Sequence, residues 1–178
     1  SLTEPQSGSD AGNMKARAVL NAQGDQYLIN GRKSWVTSGP VAGFIVLFAA
    51  TQPELKHRGT ACFIVDTTLP GFERGKKEPK LGIRASATCE TTYDNYQLPL
   101  EHRLGKEGDG FKIAMSVLDA GRIGIAAQAL GIAEAAYREA YRYANERVQF
   151  NQPIRNLPAV SRMLLSMRSE IEAARALV

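Results

Sequence analysis

Cysteine is scarce in this chain of 178 residues, which has only Cys62 and Cys89, far apart and without metal-ligand spacing. A bridge between them stays open, but two reduced thiols in strands of a cytosolic protein are the preferred reading. Histidine is equally rare. His57 and His102 lie in polar stretches without a partner motif and receive no role. No apolar run approaches the roughly 20 residues that cross a bilayer, and the longest, Phe44 to Ala50, reads as a buried strand, so no membrane span is expected. The net charge is +4, yet the basic residues are interspersed with acidic ones. No basic stripe with interleaved aromatics is visible, so no nucleic-acid partner is expected. Repeats and low-complexity segments are absent, as is a Gly-x-Gly-x-x-Gly between a strand and a helix, which excludes a standard nicotinamide site. The start lacks the basic and apolar stretches of a signal peptide. It opens on polar, turn-like residues, so further residues are expected to precede it.

What is present is ordinary for a globular protein, with 44% hydrophobic and 22% charged residues. The first hundred residues read as a β domain. Lys15 to Leu20 alternates, Asn21 to Asp25 is a turn, and Gln26 to Ile29 is a second strand. Asn30-Gly31 has the composition of a tight type I′ hairpin leading into Lys33 to Thr37. Phe44 to Ala50 and Ala61 to Val65 read as strands buried on both faces, with Gln52 to Gly59 a polar loop between them. Breaks follow at Leu69-Pro70-Gly71 and Lys80-Leu81-Gly82. Thr88 to Leu98 alternates again until Pro99.

The pattern changes after Arg103. From Gly110 to about Arg147 there is no proline, and Ile113, Val117, Ile125, Ile132 and Ala136 recur at helical spacing. Phe150 to Pro153 breaks this helix, and a second begins near Asn156, a candidate N-cap with Pro158 in the first turn. Leu164, Met167, Ile171 and Ala174 share one face of it. The expected class is α+β: an antiparallel β sandwich or barrel over residues 1–103, then an incomplete up-and-down helical bundle over residues 108–178. Two helices do not close a bundle. Assembly with other chains or a truncated sequence is therefore expected.

Five segments carry the chemistry. In Leu2-Thr3-Glu4-Pro5-Gln6-Ser7-Gly8-Ser9-Asp10, Gly8 and Ser9 offer amides and a hydroxyl suited to a phosphate oxygen, and Thr3 beside Leu2 suits a heteroaromatic edge. The plain alternative is a surface turn. Trp35-Val36-Thr37-Ser38-Gly39 places an indole beside a hydroxyl at the end of a strand, which core packing would also explain. Lys80 to Thr88 is a basic turn containing Ser86. Asp119 and Arg122 lie on a helix rich in small residues, where a solvated ion pair is the ordinary explanation. Asn145 to Phe150 places Arg147 at a helix C-terminus, a position the helix dipole already favours.

Taken together, these strings resemble the acyl-CoA dehydrogenase family. The match runs from Leu-Thr-Glu-Pro-x-x-Gly-Ser-Asp through Trp-x-Thr to the Arg147–Phe150 segment, in family order and over essentially the whole chain. Gly82-Ile83-Arg84 and Asp119-Ala120-Gly121-Arg122-Ile123-Gly124 are similar to the short-chain, butyryl-type members. The resemblance implies FAD as cofactor, held by Leu2, Thr3, Gly8, Ser9, Trp35 and Thr37, with Arg147 and Phe150 reaching the flavin nucleotide of a neighbouring subunit. It implies acyl-CoA as substrate, contacted by Ser9, Ser86, Asp119 and Arg122. Asn151 stands where the family usually has glycine, and asparagine tolerates the left-handed conformation that such a turn needs.

The family reaction is α,β-desaturation of the thioester, with hydride passing to flavin N5 and electrons passing on to an electron-transferring flavoprotein. It needs a carboxylate base. Most members carry that glutamate late in the C-terminal domain, and a minority carry it just before the arginine matched by Arg122, where this chain has Gly121. No catalytic residue is therefore assigned within the chain, and Glu134 and Glu146 read as exposed helix carboxylates. The resemblance further implies a homo-oligomer, usually a tetramer, in the bacterial cytoplasm or the mitochondrial matrix. The isolated chain is expected to be inactive, to retain flavin weakly and to self-associate. A non-catalytic homologue that binds flavin or CoA weakly, or serves as an interaction module, is the second reading.

Overall fold

The computed structural model describes all 178 residues, which divide into two compact units, Ser1–Ser116 and Val117–Val178. The first unit is built on one mixed sheet of seven strands: β1 (Arg17–Leu20), β2 (Gln26–Thr37), β3 (Phe44–Ala50), β4 (Thr60–Asp66), β5 (Phe72–Lys77), β6 (Thr88–Pro99) and β7 (Arg103–Leu104). Their order is β5-β6-β2-β1-β3-β4-β7. All pairings are antiparallel except β1 with β3, joined in parallel at Arg17 and Ala50. One face carries the main core, in which Tyr27, Ile29, Leu47, Phe63, Val65, Tyr96 and Leu98 are almost wholly buried. A second cluster joins Met14, Phe48, Ala50, Cys62 and Ala114, with Leu2 packed against it.

The expected hairpin at Asn30-Gly31 does not form. β2 runs unbroken through both residues, and the tight connection is the Asn21–Asp25 turn, closed by the Asn21 amide donating to the Gln26 carbonyl at 2.8 Å. Asn30 instead accepts a hydrogen bond from the Asn95 amide on its side-chain oxygen, at 2.8 Å. Asn95 sits at φ 49°, where β6 carries an extra residue against β2. Gly31 is required for close approach, because a Cβ there would lie 2.5 Å from Ala16 Cβ. A second extra residue falls on β2 between Lys33 and Val36, and Trp35 occupies it at φ 59°. Such bulges locally redirect a strand.

β3 and β4 are not buried on both faces throughout. Phe44, Val46 and Ile64 remain exposed on the side away from the main core. Pro53–Gly59, expected as a loop, forms 3-10 turns interrupted at Lys56. Cys62 and Cys89 are free thiols, and both are buried.

Helix α1 spans Gly110–Glu146 and α2 spans Pro158–Leu177. Within the first unit the start of α1 presses on β4, where a Cβ on Gly110 would meet Ala61 backbone at 2.6 Å. In the second unit α1 leads to a two-stranded hairpin, β8 (Val148–Gln149) with β9 (Gln152–Pro153). Phe150 and Asn151 form its tip at φ 51° and 58°, the signature of a type I′ turn. Asn156 does not cap α2. It lies in a 3-10 turn, and Leu157 holds the cap position without a side-chain bond, with Pro158 opening the helix as expected. Leu164 and Ile171 of α2 are buried, while Val117, Ile125 and Ile132 of α1 stay exposed.

Glu134 is not the exposed carboxylate its helical position suggests. It is half-buried, accepts from Arg138 Nε at 3.0 Å and Arg175 Nη2 at 2.8 Å, and so ties α1 to α2. Glu146 is exposed and pairs with Arg142. By length and composition α1 is apolar enough to cross a membrane, although it holds no long continuous apolar run. Its charged residues, Asp119, Arg122, Glu134, Arg138, Glu139, Arg142 and Glu146 among them, break any such run.

Candidate functional site

Three segments distant in sequence are laced together in the first unit. The Leu2–Asp10 loop is anchored by Leu2 in the second core cluster and by a small turn, in which the amides and carbonyls of Glu4 and Ser7 bond reciprocally at 2.9 and 3.1 Å. The Ser34 amide donates to the Thr3 carbonyl at 2.8 Å, fastening the loop to the residue before Trp35. At the other end of the bulge, the Ser38 amide donates to the Ala87 carbonyl at 2.7 Å, which fastens the Trp35–Gly39 segment beside Ser86. Thr37 pairs with Thr88 in the sheet register.

The groups these segments present are unengaged within the chain. The amides of Gly8, Ser9 and Asp10 donate to no backbone acceptor, and the Gly8 position has nothing within 4 Å of an added Cβ. Thr3 is half-buried and Thr37 is exposed. Trp35 is 62% exposed, a large apolar side chain held outward by a left-handed backbone that a bulky residue adopts only under constraint.

The Trp35–Gly39 segment is supported from behind. Gly39 lies so close to Cys89 that a Cβ would sit 2.7 Å from its Sγ. Its carbonyl accepts from Arg74 Nε at 3.2 Å, and Arg74 also reaches the Ala42 carbonyl at 2.8 Å and Thr67 Oγ1 at 2.7 Å. Sequence reading missed Arg74, since an arginine in a strand of mostly charged residues gives no signal of a structural partner. Around Ser86 the turn is self-bonded. Lys80 Nζ donates to the Ser86 carbonyl, and Arg84 Nε donates to the Lys80 carbonyl at 3.0 Å. Lys77, Lys80 and Arg84 line an open depression there with Glu78, Pro79 and Leu81, so cationic groups outnumber the single acid.

Glu4 and Lys33 were also silent in the sequence. Their side chains are 2% and 0% exposed and meet at 2.8 Å between Oε1 and Nζ. A usable signal exists, because Lys33 shares strand parity with the core residues Tyr27 and Ile29, and an inward charge demands a partner. Burial works against the Glu4 carboxylate, but the bonds from Lys33 and from the Lys15 and Ala16 amides hold its pKa below the ordinary 4.5. Burial lowers the Lys33 ammonium, and Glu4 acts against that shift.

Asp119, Arg122, Arg147 and Phe150 belong to the second unit. Arg122 Nη1 and Asp119 Oδ1 form an exposed pair at 2.6 Å. Gly121 and Gly124 beside them have open space around an added Cβ. Arg147 is exposed at the end of α1, where its carbonyl accepts from the Ile154 amide at 2.9 Å. Phe150 is 82% exposed at the hairpin tip. No cluster of His, Cys, Asp and Glu side chains is suited to a metal ion.

Comparison with known proteins bears on all of these segments. Residues 1–96 match the acyl-CoA dehydrogenase middle domain, and residues 108–178 match the acyl-CoA dehydrogenase C-terminal domain. The chain is 50% identical over 177 residues to an acyl-CoA dehydrogenase of Bacillus subtilis, covering 99% of this chain and 46% of that protein. It is 42% identical over 177 residues to the caffeyl-CoA reductase-Etf complex subunit CarC of Acetobacterium woodii, again covering 99% and 46%. Its fold superposes on butyryl-CoA dehydrogenase from Megasphaera elsdenii with a TM-score of 0.94 at 46% identity, covering 99% of this chain and 46% of that one. The chain thus spans about half the length of the relatives it matches. With 96 of its 178 residues in one domain match and most of the remainder in the other, the chain belongs to the acyl-CoA dehydrogenase family.

Proposed function

We propose that these residues form the flavin- and acyl-CoA-binding region of an FAD-dependent acyl-CoA dehydrogenase. Residues 1–103 act as the β domain that receives both ligands, and residues 108–178 as the first two helices of the C-terminal domain. The observation that carries the reading is the lacing of Leu2–Asp10, Trp35–Gly39 and Ser86–Thr88 by two short backbone bonds, with Trp35 held outward between them.

The residues present suit a flavin nucleotide. The free amides of Gly8 and Ser9 offer donors to a phosphate oxygen, the Trp35 ring offers an apolar wall, and the Thr3 and Thr37 hydroxyls offer donors to the edge of a heterocycle. Bound there, the flavin supplies the hydride acceptor for desaturation of an acyl-CoA thioester. Ser9 and Ser86 bind the CoA portion, with Asp119 and Arg122 directed to the thioester end. Arg147 and Phe150 take the nucleotide of a neighbouring subunit, so the working assembly is a homo-oligomer. Its planar fork of donors suits Arg147 to a pyrophosphate. The exposed faces of α1 and α2 are then packing surfaces of a soluble assembly, and electrons leave to an electron-transferring flavoprotein. The enzyme works in the bacterial cytoplasm or the mitochondrial matrix.

The carboxylate base lies outside these 178 residues, because the position before Arg122 is Gly121. A base is most effective when its pKa is near the working pH, and the Glu4 carboxylate of the opening loop is instead held below its ordinary value by its Lys33, Lys15 and Ala16 bonds. The test is the visible spectrum of the full-length protein titrated with a series of saturated acyl-CoAs. Bleaching of the flavin band supports the proposal. A bound flavin that no acyl-CoA bleaches favours the non-catalytic homologue instead, and a full-length protein that takes up no flavin overturns both.

A further inference from the structure

Lys33 is the one buried lysine of the chain, and its charge faces the one buried carboxylate. The Glu4 carboxylate is saturated by protein donors. Oε1 accepts from Lys33 Nζ at 2.8 Å and from the Ala16 amide at 3.0 Å. Oε2 accepts from the Lys15 amide at 2.6 Å and from Gln6 Nε2 at 2.5 Å. Lys33 Nζ makes a second bond to the Leu2 carbonyl at 3.0 Å. Four stretches of chain therefore converge on this pair: the opening loop at Leu2, the turn at Gln6, the entry to β1 at Lys15 and Ala16, and β2 at Lys33.

Their place in the chain matters as much as their burial. Leu2 and Thr3 are held by consecutive β2 residues, the first through Lys33 Nζ and the second through the Ser34 amide. The next residue is Trp35 in its left-handed bulge. Such a conformation persists only where the surroundings over-determine it. A buried ion pair is a poor source of net stability, since well-packed apolar replacements are often neutral or better. What it supplies is direction, because each charged bond fixes a distance and an angle.

We propose that Glu4 and Lys33 are positioning residues, which set the Leu2–Asp10 loop and the Trp35 bulge in one fixed relation so that both meet the flavin together. Neither side chain touches the cofactor, since the bonds above occupy them and both lie below the surface. The proposal rests on the flavin reading of these two segments.

The test uses the full-length protein, stripped of flavin and titrated with FAD. Glu4→Gln keeps the volume but loses the charge and presents an amide group to donors. The double variant Glu4→Leu with Lys33→Met removes both charges without leaving one unpaired. Lys33→Arg keeps a cation. The double variant is expected to retain the parent's far-ultraviolet circular dichroism and melting temperature while its FAD dissociation constant rises at least about tenfold. Glu4→Gln should show a similar loss, with Lys33→Arg recovering part of the affinity. Parent-like FAD affinity in the folded double variant overturns the proposal. If the double variant does not fold, Glu4→Gln decides by the same titration, parent-like affinity again overturning it. Failure of the parent itself to bind FAD would instead sink the flavin reading, so the two failures are told apart.

Discussion

The amide of Ser34 lies 2.8 Å from the carbonyl of Thr3, and this single bond joins a loop at the start of the chain to the residue before its only tryptophan. The order of this site depends on what lies beneath that contact, which leads first to acid stability. Glu4 has a lowered pKa in the folded state, so its contribution to stability is complete above its ordinary 4.5 and is lost as pH falls through the lower folded value. The Lys33 shift acts at the alkaline end. Its folded pKa is below the ordinary 10.5, so the cost of holding its charge is relieved as pH rises through that folded value. Urea midpoints of parent and Glu4→Gln, measured from about pH 3 to pH 6, should converge as the pH falls. A constant gap between the two curves would contradict this assignment.

Gly31→Ala should destabilise the first unit by about 1–3 kcal/mol, the range for overpacking a filled site. The added methyl would press on Ala16 Cβ at 2.5 Å, on the stretch that carries Glu4's two backbone donors. Chemical denaturation reads the loss. A Gly31→Ala variant as stable as the parent would mean that β1 can move away from β2 at no cost.

Cys62 and Cys89 should resist thiol reagents in the folded protein. Both side chains are buried, and burial raises both thiols above their ordinary 9.0. The thiolate is the reactive form, so both exclusion and protonation slow modification. Ellman's reagent should titrate them only after denaturant is added. Rapid labelling of the native protein at either position would show that β4 or β6 opens readily.

At the β8–β9 tip, Asn151→Gly should be neutral or mildly stabilising, and Asn151→Ala should cost about 1–2 kcal/mol, because only alanine adds a left-handed penalty. The comparison is made by thermal melting of the full-length protein. Equal melting points for the two variants would argue that Asn151 does not need φ 58°.

The helices and this tip were legible because their signals are local. A proline-free stretch with helical spacing ends at a residue pair able to turn, and α1 ends within one residue of the expected position. Asn30-Gly31 misled for the same reason. A tight hairpin and a residue bridging a bulge ask for similar side chains, and the choice was made by Asn95, 65 positions away. The Glu4–Lys33 pair likewise depends on a contact across 29 positions, to which local pattern is blind. Leu2, Thr3, Trp35, Thr37 and Ser86 were singled out by shared motif strings, and the bonds that place their segments side by side emerged only from the sheet. For Asp119, Arg122, Arg147 and Phe150 the chain supplies exposed positions, so their roles wait on the groups that meet them.

The bulge at Trp35 has a consequence for evolution along this strand. Tyr27, Ile29 and Lys33 occupy odd positions and point inward, whereas Ser34 and Val36, on either side of the bulged Trp35, are the next buried residues. Strand parity is therefore inverted at the tryptophan. At the regular period of two, position 35 would fall on the buried face with Tyr27, Ile29 and Lys33, and the bulge is what turns the indole outward. A change that straightened the bulge would thus leave every residue of the motif in place and still remove the exposed indole. Backbone shape, in this stretch, is as much a part of the signature as the letters.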